Sequence, residues 1–82
     1  MMKGNGWTIV KSHIGGKCHK PKPSHTIPFK LYDDDHNLYF EGLMSKELRD
    51  SPHILDPMDA NMEDYGVTSM KTLYPNGEFD WV

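Results

Sequence analysis

Cysteine and histidine side chains are concentrated between residues 13 and 25. Thiolate and imidazole groups are the preferred protein ligands of zinc, so four such groups within a short segment allow a tetrahedral site. The spacing is unlike that of known zinc modules, because there is no C-x-x-C pair and adjacent residues of an extended chain point to opposite sides. We expect no cofactor and keep a zinc-stabilised domain as an alternative, with the candidate ligands His13, Cys18, His19 and His25.

Catalysis finds little support in the residue pattern. Cys18 lies between Lys17 and His19, whose positive charge stabilises a thiolate. A cysteine nucleophile also requires groups that stabilise the developing oxyanion, and no recognisable motif supplies them. We therefore expect a non-enzymatic protein.

The acidic segment that begins at Asp33 partly resembles a calcium-binding loop. Asp33, Asp35 and Asn37 match the first, third and fifth positions of an EF-hand. The sixth position is Leu38 rather than glycine, and the twelfth is Met44 rather than glutamate. The pattern excludes an EF-hand and is more typical of a solvated hairpin turn.

Charge is distributed very unevenly along the chain. Residues 1–30 contain six lysines and no acid, whereas residues 31–82 contain twelve acids and three basic residues, within a net charge of −3. Such asymmetry marks a nucleic-acid or partner surface, or two halves that neutralise each other across a sheet. We divide the single predicted domain, residues 1–82, into a basic N-terminal segment (1–30) and an acidic β-rich body (31–82).

The two charged halves define two candidate interfaces. The acidic half presents carboxylates to a basic protein partner, which predicts a small binding module or inhibitor, with the candidate residues Asp33, Asp34, Asp35, His36, Glu78 and Asp80. The alternative is nucleic-acid binding through the basic segment, although arginine is missing there, with the candidate residues Lys11, Lys17, Lys20 and Lys22.

Alternating apolar and polar residues predict two β-hairpins. Residues 25–32 and 37–44 alternate on either side of a polar turn, and residues 67–74 and 78–82 flank a Pro-Asn-Gly turn. Pro28 cannot donate to a ladder, so its strand is predicted to be an edge strand or to bulge there. Residues 7–14 form a further predicted strand.

One short helix is predicted between the hairpins, over residues 57–65. Asp56 offers an N-cap before Pro57, and Gly66 offers a stop. The fold class is therefore α+β, mainly antiparallel β, with a predicted core of Ile27, Phe29, Leu31, Leu38, Phe40, Phe79 and Trp81. The strand that carries Pro28 and residues 79–82 are candidate edges for homodimer formation by strand pairing.

A single cysteine excludes an intramolecular disulfide framework and fits a reducing compartment. No apolar run is long enough for a signal peptide or a membrane span, and the mean hydropathy is negative. We expect a cytoplasmic protein with no membrane association.

Segments in the acidic half resemble a recurring type of small protein found in bacteria, plasmids and phages. The resemblance is carried by residues 31–42, by Leu55-Asp56-Pro57, and by residues 66–77, which run from Gly-Val-Thr to Tyr-Pro-Asn-Gly. It implies a compact β-rich body without assigned activity, an origin on a mobile element and, for a phage-encoded protein, a location in the host cytoplasm. His36 stands where glycine is usual, and the basic residues 1–30 look like an addition.

Overall fold

A computed structural model describes residues 6–15 and 18–82. Five strands form one antiparallel sheet in the order β1-β3-β2-β4-β5, and two helices lie between the third and fourth strands along the chain. The predicted α+β fold class, mainly antiparallel β, is confirmed. The elements are β1 (Trp7–Ser12), β2 (His25–Tyr32), β3 (Leu38–Ser45), α1 (Lys46–Arg49), α2 (Asp56–Tyr65), β4 (Ser69–Leu73) and β5 (Phe79–Trp81).

Both predicted hairpins are present, as β2–β3 and β4–β5. Alternation fixes the buried face: Phe29, Leu31 and Phe40 are fully buried, and the register pairs Leu31 with Phe40. These three residues belong to the predicted core. The first predicted strand is also present, although it ends at Ser12 rather than residue 14.

Close packing joins β1 to the centre of the sheet. Ile9 pairs with Gly42 of β3, and the register then shifts between Ile9 and Lys11. A Cβ atom on Gly42 would lie 2.4 Å from Cζ of Phe29 and 2.5 Å from the carbonyl oxygen of Thr8. Only glycine fits here, because real Cβ contacts are longer than these distances.

The predicted helix over residues 57–65 is confirmed as α2, and Gly66 ends it with φ of 75°. The N-cap is Leu55 rather than Asp56, because the Leu55 carbonyl accepts the first helical hydrogen bond, from the Asp59 amide at 2.9 Å. Asp56 instead lies in the first turn, where its negative charge interacts favourably with the positive end of the helix dipole.

The short helix α1 was not predicted from the sequence. Its N-cap is Ser45, whose hydroxyl accepts a hydrogen bond from the Leu48 amide at 3.1 Å. Leu48 then packs into the core. A serine followed by a glutamate in the first turn is the sequence signal for this helix.

The predicted edge position or bulge at Pro28 is wrong. Strand β2 lies inside the sheet, between β3 and β4, and its register shifts occur at other residues. The Pro28 carbonyl accepts a hydrogen bond from Oγ1 of Thr72, so the backbone of Pro28 faces β4. The β2–β4 ladder begins only at the next residue, Phe29, so the missing amide hydrogen of Pro28 falls at the end of that ladder.

Both helices pack on one face of the sheet, and the opposite face is called the open face below. Leu48 of α1 and Met58 of α2 join the core formed by the inner strand residues. Three predicted core residues lie outside that core, namely Leu38, Phe79 and Trp81, and Trp81 is 41% exposed. Phe79 and Trp81 belong to the short edge strand β5. Within the described chain, no helix is long and apolar enough to span a membrane.

Candidate functional site

The turn between β4 and β5 determines which face Trp81 occupies. The Gly77 amide donates to the Tyr74 carbonyl at 2.9 Å, with Gly77 at φ of 83°. The resulting register places Trp81 opposite Lys71. Since the neighbours of Lys71 along β4 are buried, Lys71 and Trp81 lie on the open face, and Phe79 follows by alternation.

A lysine and two rings surround the Trp81 indole. The Lys71 ammonium lies 4.5 Å from the ring centroid, and the Tyr32 and His36 rings have centroids 5.1 and 4.9 Å away. An exposed cation–π contact contributes about 0.5–1 kcal/mol. These contacts hold the indole in one orientation while 41% of the residue remains accessible.

Two lysines lie side by side on the open face. Lys30 and Lys71 are direct register partners, and the Lys30 ammonium lies 4.5 Å from the centroid of the Phe79 ring. Neither lysine belongs to an ion pair within residues 6–15 and 18–82. Aromatic rings therefore compensate part of the repulsion between like charges on neighbouring strands.

A pocket of about 440 Å³ opens beside Trp81. It lies where the β2–β3 turn, the start of β4, the end of β5 and helix α2 meet. Its lining is mainly apolar, and we call it the corner pocket; it includes His36, Leu55, Met58, Met70, Trp81 and Val82. An accessible indole beside an apolar pocket is a typical anchoring site for a partner side chain.

The acidic turn between β2 and β3 is organised by Asp33. Its Oδ1 accepts hydrogen bonds from the amides of Asp35 and Asn37, at 2.9 and 2.8 Å, and its Oδ2 accepts from the Asn37 side chain at 3.1 Å. The hydrogen bonds from Asn37 are the main reason that the pKa of Asp33 lies below its usual value. The charge on Asp33 in turn raises the pKa of Tyr39. Asp33 therefore serves to build the turn.

His36 completes this turn with φ of 62°, the left-handed conformation that glycine adopts most easily. This is the position at which the resemblance predicts glycine. The turn brings the His36 imidazole against Trp81. The histidine that stands in place of the expected glycine therefore contacts Trp81.

The structure brings some of the predicted partner-binding residues together and separates others. Asp34 and Asp35 are exposed in the turn that holds His36, and Asp80 is exposed next to Trp81. Glu78 lies at the opposite end of β5, where its amide bonds to Oδ1 of Asn76. The six predicted residues therefore do not form one continuous patch.

The four candidate zinc ligands have separate surroundings. Nε2 of His13 lies 2.8 Å from Oε2 of Glu41, and Nδ1 of the buried His25 lies 2.8 Å from Oγ1 of Thr8. Cys18 and His19 are exposed. Within the described part of the chain, no three or more His, Cys, Asp or Glu side chains gather in a metal-binding arrangement.

Candidate nucleic-acid residues lie near the other edge of the sheet. The His19 amide donates to the Ile9 carbonyl at 3.0 Å, which places the loop that holds Lys20 and Lys22 along β1. Lys11, Lys20 and Lys22 are exposed. Lys17 lies outside the described residues. Lys11 is opposite Glu41 in the register, so one acid of the second half lies beside the basic first half.

Sequence reasoning missed Trp81 and Lys71 as surface residues of the site. Alternation correctly placed Phe79 and Trp81 on one face of β5, but it does not say which face the core occupies. The usable signal was in β4, where the apolar Met70 flanks Lys71 and marks the lysine face as the open one.

No protein-family model matches the chain, and neither a curated protein nor a solved structure does.

Proposed function

We propose that the chain is a non-enzymatic protein-binding module that acts by occupying or inhibiting a partner protein. The observation that carries this proposal is the combination of the accessible, fixed Trp81 indole with the apolar corner pocket beside it. Tryptophan is strongly enriched among residues that dominate binding energy, and such residues pair with adjacent pockets.

Carboxylates around the corner pocket support a basic partner. Four exposed acids directly adjoin pocket-lining residues along the chain, namely Asp35, Asp56, Asp59 and Asp80. Charge complementarity accelerates the association of two proteins, and acidic residues at the interface disfavour acidic partners. The proposed interface is therefore an apolar anchor site with an acidic surround, and its affinity should fall with salt.

The resemblance of the acidic half to small proteins of bacteria, plasmids and phages supports two further parts of the proposal. These are an origin on a mobile element and action in the cytoplasm of the host. An inhibitor encoded by such an element would meet its basic partner there.

Affinity capture from a host extract tests the function. The tagged chain is compared with Trp81→Ala and with a matched surface variant, Ile14→Ala, because Ile14 is 46% exposed and lies just beyond β1. We expect a discrete protein that resists nuclease, weakens with salt, is lost with Trp81→Ala and is kept with Ile14→Ala. Equal capture by all three chains would contradict the proposed site.

Nucleic-acid binding is the second candidate, favoured by the exposed lysines near β1. Because β1 and β5 are opposite edges of the sheet, the two functions can be separated by mutation. Replacing Lys11, Lys20 and Lys22 with glutamine should abolish binding to a short single strand or duplex and leave Trp81-dependent capture intact. Undiminished binding by that variant would dismiss this candidate.

A further inference from the structure

Strand β5 presents unpaired backbone groups along the edge of the sheet. It is the last strand in the sheet order, and the Val82 amide donates to the Met70 carbonyl at 2.9 Å. Backbone groups alternate in direction along a strand, so those of Asp80 also point toward β4. Those of Phe79 and Trp81 therefore point away from the sheet.

The opposite edge is partly covered. The Ile9 carbonyl of β1 accepts a hydrogen bond from the His19 amide, so the loop around His19 lies along that strand. Proteins commonly cover sheet edges in this way to prevent unwanted pairing. Of the two edges, β5 is the one better able to receive another strand.

The Asp80 carboxylate protects the β5 edge locally. Its Oδ1 accepts a hydrogen bond from the Trp81 amide at 2.8 Å, which is one of the outward-facing donors. In an antiparallel pair of two copies that joins Phe79 to Trp81 of the other copy, the two Asp80 side chains would lie directly opposite each other. Like charges opposite each other destabilise a strand pair, so Asp80 disfavours self-association.

We propose that the β5 edge binds an extended segment of the partner as a sixth strand, with a lysine or arginine opposite Asp80. This inference rests on the proposed protein-binding function and names the partner's chemistry. A basic side chain would attract the Asp80 carboxylate away from the Trp81 amide, and that amide would then donate to the partner's backbone. The carboxylates of Asp56 and Asp59 also favour a positively charged partner.

Alternation sets the rest of the partner segment. Asp80 and Val82 point toward the helix side of the sheet, where Val82 lines the corner pocket. A partner residue two positions from the basic one lies beside this pocket and should be apolar. The segment therefore carries an alternating basic and apolar pattern on the face toward α2.

Two capped heptapeptides serve as probes, Thr-Val-Thr-Lys-Thr-Val-Thr and the same peptide with a central glutamate. Amide hydrogen exchange and chemical shifts report pairing at Phe79 and Trp81, and titration gives the affinity. The lysine peptide should slow exchange of the Phe79 amide and bind at least about tenfold more tightly than the glutamate peptide. Asp80→Lys should reverse this preference, whereas Asp64→Lys, an equal charge change on an exposed residue of α2, should preserve it.

Several results would overturn the inference. They are equal binding of both peptides, shifts located away from β5, no slowing of Phe79 exchange at about 1 mM peptide, and a wild-type dimer with protected β5 amides. Trp81-dependent capture of a host protein together with any of these results would leave the protein-binding function standing and remove only strand addition. Loss of Trp81-dependent capture would instead remove the function itself.

Discussion

Gly42→Ala tests the packing at the centre of the sheet. The added methyl group would lie 2.4 Å from Cζ of Phe29 and 2.5 Å from the Thr8 carbonyl oxygen. Carbon atoms in contact are normally about 3.5–4.0 Å apart, so the Phe29 ring would have to move by more than 1 Å. Phe29 is fully buried, which leaves no free volume to receive it.

The Thr8 oxygen makes the substitution still more costly, because it belongs to the backbone of β1. Moving it away disturbs the β1–β3 pairing, which also positions Trp7 in the core. Overpacking a core costs about 1–3 kcal/mol, and a clash with both a ring and a backbone atom favours the upper end. About 3 kcal/mol corresponds to a melting temperature lower by roughly 12–24 °C in a domain of this size.

Thermal and urea unfolding, followed by circular dichroism, measure the effect. Gly77→Ala is the matched control: a Cβ there meets nothing within 4 Å, so only the cost of its positive φ remains, about 1–2 kcal/mol. Phe29→Leu removes the atoms that clash, so Gly42→Ala should cost about 1 kcal/mol less in that background. A Gly42→Ala melting temperature within about 4 °C of the wild type would refute this account of the sheet centre.

Four further predictions concern the turn, the tryptophans, the edge and metal. The pKa of Asp33 is lowered in the folded state. Its contribution to stability is therefore present above about pH 4 and is lost as the pH falls through the lowered pKa. The free energy of unfolding of Asp33→Asn, measured against pH, should consequently fall less steeply in acid than that of the wild type. In urea unfolding, Trp7→Ala should lower the free energy of unfolding by about 3–5 kcal/mol, because Trp7 is buried. Trp81→Ala should lower it by only about 1–2 kcal/mol, because Trp81 is exposed. Equal losses of stability would contradict the faces assigned to the two residues. Asp80→Thr should shift sedimentation toward a dimer, and a strictly monomeric variant would contradict the role of its charge. A chelator should leave native mass and melting temperature unchanged, whereas a loss of mass would show a bound metal ion and contradict this expectation.

Local signals were sufficient to predict much of the fold. Alternation located both hairpins, and proline and glycine placed α2 within one residue of its observed limits. The strand order was harder to predict, because Pro28 indicated an edge strand whereas β2 lies between two strands. Pro28 has no amide donor, and it lies just before the first residue of β2 that pairs with β4. Where that pairing begins depends on strand length and cannot be predicted from a local pattern.

Trp81 shows why the site was harder to predict than the fold. A large aromatic residue in an alternating strand is usually part of the core, and size and pattern alone favoured that interpretation. Its exposure follows from the register of β5 on β4 and from the absence of any described element beyond β5. Both are tertiary features, as is the approach of His36 from a distant turn.

The charge asymmetry of the sequence becomes a difference between the two faces of the sheet. Residues 46–65, which include both helices, contain six acids and two basic residues, whereas Lys30 and Lys71 lie on the open face. A strand added to β5 would therefore meet carboxylates on one face, and ammonium groups and rings on the other. The proposed partner segment should carry basic and apolar residues on the face toward α2, and acidic or aromatic residues on the face toward the open face. Its two faces are distinguished by charge, which would fix its register, since a slip by one residue reverses every pair.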